Sequence, residues 1–112
     1  MAMDMKLDHA EKLVENLTEF MEVVIRNGDK AFPPEYAFLD GLYSILREMR
    51  WEAFDYLNAL KGDVVTDNPL WTAKLKESVL LLDAIFDNLN DTTMVFFPFY
   101  LTIHSGVKVL AR

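Results

Sequence analysis

The side chains with chemistry to offer in this sequence are carboxylates. Glu15, Glu19 and Glu22 stand three or four residues apart, as do Glu48, Glu52 and Asp55, and Asp83, Asp87 and Asp91. At that spacing each set lies on one face of a helix. Like charges so placed repel one another by roughly a few tenths of a kcal/mol per pair. Bases on a neighbouring helix, a Mg²⁺ ion or a basic partner could offset that repulsion. Solvent and salt are the ordinary answer, because exposed charges are well screened.

Other reactive groups are scarce. His9 and His104 are the only histidines, and neither sits in a Glu-x-x-His or His-x-x-x-His arrangement. A histidine-containing di-iron centre of the bundle type therefore has no ligands. Ser105 follows His104, but adjacent residues on a helix point to different sides, so the two do not form a nucleophile and base. The chain has no cysteine, which excludes thiol catalysis, zinc thiolate sites and disulfides. Its four glycines are scattered and make no phosphate-binding loop. We expect no catalytic set, no metal site and no cofactor.

Two of the carboxylate pairs carry a resemblance. Glu19-x-x-Glu22 followed by Glu52-x-x-Asp55, the latter inside Glu52-Ala-Phe-Asp-Tyr-Leu-Asn-Ala-Leu, resembles the paired motifs of MazG-like all-α nucleotide pyrophosphatases. The resemblance covers these few acids. It departs from the family pattern at Thr18, where a doubled glutamate would stand, and no cluster of bases for phosphates lies nearby. It implies an alternative activity: Mg²⁺-dependent hydrolysis of nucleoside triphosphates, with the carboxylates as oxygen ligands.

The charge is uneven along the chain. Its 112 residues carry 18 acids and 11 Lys or Arg, for a net charge of −7. Every acid lies at or before Asp91, and beyond it only Lys108 and Arg112 are charged. Such a surface disfavours direct contact with nucleic acid or an anionic membrane and suits a basic protein. No stretch reaches the roughly 20 apolar residues of a membrane span, and the start lacks the apolar run of a signal peptide. A cytoplasmic protein is the expectation.

Hydrophobic periodicity then predicts the elements that hold these groups. Residues 4–27 show a stripe of period 3.6 through Leu7, Ala10, Leu13, Val14, Leu17, Phe20, Met21, Val24 and Ile25, and Asn27-Gly28 is a stop. Residues 34–61 form a second helix with a seam through Leu39, Leu42, Leu46, Met49, Ala53, Leu57 and Leu60. Tyr43, Ile45, Phe54 and Tyr56 widen its apolar face, Trp51 adds bulk at the edge, and Gly41 suggests a close helix approach. Asn68-Pro69 is a start signal for a third helix running to about residue 90 through Trp71, Leu75, Val79, Leu82, Phe86 and Leu89, broadened by Leu80, Leu81 and Ile85. The short turn after it makes the last element its antiparallel neighbour. That element is the greasiest, bent or interrupted at Pro98 and stopped by Gly106.

The expected fold is all-α: one domain over residues 1–112, a mainly antiparallel four-helix bundle. With 52% hydrophobic residues, some apolar surface should meet a second copy, as a homodimer. On the last helix Thr102, His104, Ser105 and Lys108 share the wet face, and Met94, Phe97 and Leu101 continue it as an apolar patch suited to that contact. Glu11, Glu15, Glu22, Glu48, Glu52, Asp55, Asp83 and Asp87 would form a charged face for a basic or nucleic-acid-binding protein. The expected role is a non-enzymatic interaction module, a small acidic inhibitor, immunity or adaptor protein.

Overall fold

A computed structural model describes the backbone of residues 2–28, 33–62, 69–87 and 91–111, and the side chains of these apart from residues 2–5, 33–36, 69, 70 and 92. All the regular structure among the described residues is helical. Four long helices, α1 (Ala2–Gly28), α2 (Pro33–Lys61), α3 (Pro69–Phe86) and α5 (Phe97–Leu110), are joined by a short α4 (Asp91–Met94). At about 1.5 Å per residue, the 27 residues of α1 run most of the 46 Å long axis. Among the described residues no helix is long and apolar enough to cross a membrane.

The helices form where the apolar spacing requires them. Ala10, Leu13, Leu17, Phe20 and Val24 are all buried, one per turn of α1. Leu42, Leu46, Met49 and Ala53 do the same on α2, and Leu75, Val79, Leu82 and Phe86 on α3. These stripes share one core cluster with Ile103, Val107 and Leu110 of α5. Helix α1 packs on α2 and α5, and α3 packs on the same two. Burial of this kind, about 1.5–3 kcal/mol for each large aliphatic or aromatic side chain, holds helices whose own propensity is modest.

Each packed pair meets through identifiable residues. Arg50 Nε of α2 donates to Thr18 Oγ1 of α1 at 2.8 Å, and Thr18 in turn donates to the Val14 carbonyl. The rings of Tyr56 and Trp71 join α2 to α3, with centroids 5.7 Å apart. Phe20 of α1 packs on Phe99 of α5 at 5.5 Å and on Phe96 at 6.1 Å.

The end of the chain differs from expectation. Val95 and Phe96 form a turn between α4 and α5, closed by the Phe96 amide donating to the Thr93 carbonyl at 3.0 Å. Pro98 sits in the first turn of α5, where a proline costs no helical hydrogen bond. Gly106 does not stop this helix, which continues to Leu110 and buries Val107 and Leu110. Helix α5 runs close to α1 there: a Cβ at position 106 would come within 3.2 Å of Leu13 Cδ1. Conversely Gly41, expected at a close approach, is exposed with nothing within 4 Å of an added Cβ. Helix α3 closes at Phe86, earlier than expected. The Asn68 cap, the connections at 29–32 and 63–68, the turn at 88–90 and Arg112 lie outside the described residues.

Candidate functional site

The seam of α2 turns Leu42, Leu46, Met49 and Ala53 inward. Trp51 lies two residues from both Met49 and Ala53, which on a helix is the opposite side. It is 71% exposed, so the expectation that it sits at the edge of the core face is corrected. Phe54 is also exposed, with the Arg50 guanidinium 6.0 Å from its ring centroid.

Around Trp51 stand three of the expected acids. Glu48 precedes it by three residues and Asp55 follows by four, so both are its neighbours on the helix surface. Ser44, Arg47, Glu48, Trp51 and Glu52 line a hollow of about 440 Å³. Arg47 is its one base, against the carboxylates of Glu48 and Glu52, with Asp55 a turn further on.

Glu52 is the unusual member. It is half-buried, and its Oε2 is shielded from solvent without a hydrogen-bond partner. Burial pushes its carboxyl pKa up; Lys74 of α3 pulls it down, and Glu48, Asp55 and Glu77 push it up again. The site thus contains a carboxylate short of a donor, in a negative field, beside a bare indole.

The other expected acids lie elsewhere. Glu11 is 4.0 Å from Lys61 at the α1–α2 boundary, Glu22 is 3.7 Å from Arg26 on the same exposed helix face, and Glu15 is exposed. Asp83 and Asp87 lie on the side of α3 that meets α5. The Tyr100 hydroxyl donates to Asp83 Oδ1, and His104 Nε2 is 3.7 Å from the same oxygen. Tyr100 stacks on Phe86 with centroids 4.5 Å apart. Burial, then the hydrogen bond to Asp83, then the charges of Asp83 and Asp87 push its pKa up to about 12. The structure therefore gathers Glu48, Glu52 and Asp55 in one place and Asp83 and Asp87 in another, with Glu11, Glu15 and Glu22 apart from both.

Nor do the pairs behind the pyrophosphatase resemblance meet. Glu19 lines a hollow with Asn16, Pro98, Phe99 and Thr102 between α1 and α5, and Glu52 faces Lys74 and Glu77 of α3. Among the described residues no group of three or more His, Asp or Glu stands close enough to hold a metal ion.

Of the apolar patch, Met94 is 60% exposed and Leu101 48%, whereas Phe97 is half-buried against Tyr100 at 5.9 Å. Leu80 and Leu81, expected to broaden the α3 seam, are exposed as well, and so is Ile25, expected in the apolar stripe of α1. The cluster of Asp83, Tyr100 and His104 escaped sequence reasoning because its members come from two helices. Asp83 and His104 lie nearly equal distances in sequence from the Asp91–Met94 connection, and counting outward from it would have paired them. No protein-family model, curated protein or solved structure matches the chain.

Proposed function

We propose that this chain is a non-enzymatic protein–protein interaction module, an acidic inhibitor, immunity or adaptor protein of the cytoplasm that binds a basic or nucleic-acid-binding protein. Its fold in this reading is a single antiparallel four-helix bundle whose last helix, α4 with α5, is interrupted ahead of Pro98. The contacts support that arrangement. Phe20 meets Phe99 while Leu13 meets Gly106, so α1 and α5 pass in opposite directions. Tyr100 meets Phe86 while His104 meets Asp83, and α3 and α5 do the same.

The observation that carries the functional reading is the bare indole of Trp51 among Glu48, Glu52 and Asp55. Tryptophan is enriched among the residues that dominate binding energies. Its face attracts Arg and Lys through the ring quadrupole. Carboxylates beside it then pair with the same cation.

Capture from native cell extract tests this. The wild-type chain should retain a protein of high isoelectric point at low salt and release it as salt rises. W51A should retain little of it. Retention of the same protein by W51A, or retention indifferent to salt, would contradict the reading.

A further inference from the structure

The geometry points to a second copy of this chain as the occupant of the groove between α3 and α5. That groove is a hollow of about 500 Å³ whose apolar lining includes Val79, Leu80 and Val107. Leu80 stands 66% exposed on its rim. Leu80 and the apolar lining leave a surface that an apolar contact would cover, and the charges around it indicate which.

The face is electrically lopsided. Lys76 and Lys108 line one end of the groove. Asp83 lines the other end, and Asp87 lies beyond it, close enough to act on Tyr100. Lys76 and Asp87 are separated by about 16 Å along α3 at 1.5 Å per residue. A twofold axis through the level of Leu81 and Leu82, midway between Lys76 and Asp87, turns this gradient on itself. Each copy's Lys76 then meets the other's Asp87, twice per dimer. The exposed Leu80 of each copy then lies within about 5 Å, measured along α3, of the other's. An isologous contact requires this self-complementarity. A purely acidic or purely basic groove would have opposed it.

This contact uses the α3–α5 side, away from Trp51 on the outer face of α2. It stands or falls apart from the basic-partner reading, and each has its own variants.

The test is the oligomeric state by sedimentation over a concentration series, with circular dichroism to confirm folding. Wild type should be a dimer. Lys76 and Asp87 are both exposed, so K76E and D87K should fold and should each dimerise about tenfold more weakly or worse, since each inverts two pairs. Recovery is the decisive part. The double variant K76E/D87K should dimerise like wild type, and an equimolar mixture of K76E with D87K should form heterodimer. L80R should be monomeric at low and high salt alike. A monomeric wild type overturns the proposal. So does a dimer insensitive to K76E and D87K, or a loss of dimer that neither the double variant nor the mixture restores.

Discussion

The hydroxyl of Tyr100 donates a hydrogen bond to Asp83, tying the start of α5 to the end of α3. The ring that carries it lies flat on Phe86. One side chain thus supplies an apolar contact to the core and a polar contact to the surface. Its folded-state pKa of about 12 exceeds the ordinary value of 10.0. A folded state with a raised pKa holds its proton more tightly than the unfolded chain does. The stabilisation is therefore fully present below pH ~10 and is lost as pH rises through about 12. Y100F should cost about 1–2 kcal/mol in urea unfolding at neutral pH, toward the low side because Asp83 can turn to water. It should also flatten the loss of stability that wild type shows between pH ~10 and ~12.

Glu52 has the same direction of shift and the opposite consequence at neutral pH. Its raised carboxyl pKa means that the folded state disfavours the charged form. Its stabilising part is present only at acid pH, below the unfolded value, and fades as pH rises through the folded one. E52Q should therefore melt higher than wild type at neutral pH. The gain should shrink to nothing in acid, where wild-type Glu52 is itself protonated. Thermal melts across pH read this directly; an E52Q melting point below wild type at neutral pH would show that the charge is stabilising.

Gly106 faces Leu13 across the α1–α5 contact, where a Cβ would be 3.2 Å from Cδ1. Alanine gains about 1 kcal/mol of helix propensity over glycine. It must also displace the end of a leucine side chain by a few tenths of an ångström, which largely offsets that gain. G106A should thus lie within about 0.5 kcal/mol of wild type. G106L must move the helix itself and should lose about 2 kcal/mol or more. Had Gly106 been a helix stop, both variants would be penalised alike.

Phe96 lies in the turn ahead of α5, 2% exposed, with its ring stacked on Phe20. Its carbonyl accepts from the Tyr100 amide at 3.0 Å. F96A removes the ring and keeps that backbone bond, so the loss should be the packing loss of about 3–5 kcal/mol. Chemical denaturation measures it. A cost near 1 kcal/mol would mean that the turn is held by its backbone alone.

Much of the fold was legible because period is a strong signal. Leu13, Leu17 and Phe20, or Leu46, Met49 and Ala53, can share a face only on a helix, and all six are buried. Trp51 misled through its size: its place two residues from Met49 and from Ala53 already put it outside. Leu80 and Leu81 misled through their company. In the run from Val79 to Leu82 successive residues turn by about 100°, so four cannot all face inward; Val79 and Leu82 do. Gly106 was ambiguous, because a glycine that ends a helix and one that lets two helices touch are the same letter. Of the candidate site, the carboxylates and the outward place of Trp51 were readable along α2, whereas the orphaned Glu52 oxygen depends on which neighbours α3 brings.

In the proposed function, Trp51 and its carboxylates bind a cation-rich protein. The most direct measurement is the affinity of the captured partner for wild type and for W51A across a salt series, W51A having been checked for an unchanged melting temperature. We predict a dissociation constant that rises steeply with salt, and a loss in W51A of about 2 kcal/mol, some thirtyfold, as for a central binding residue. Equal affinity of W51A and wild type, or an affinity indifferent to salt, would contradict the account.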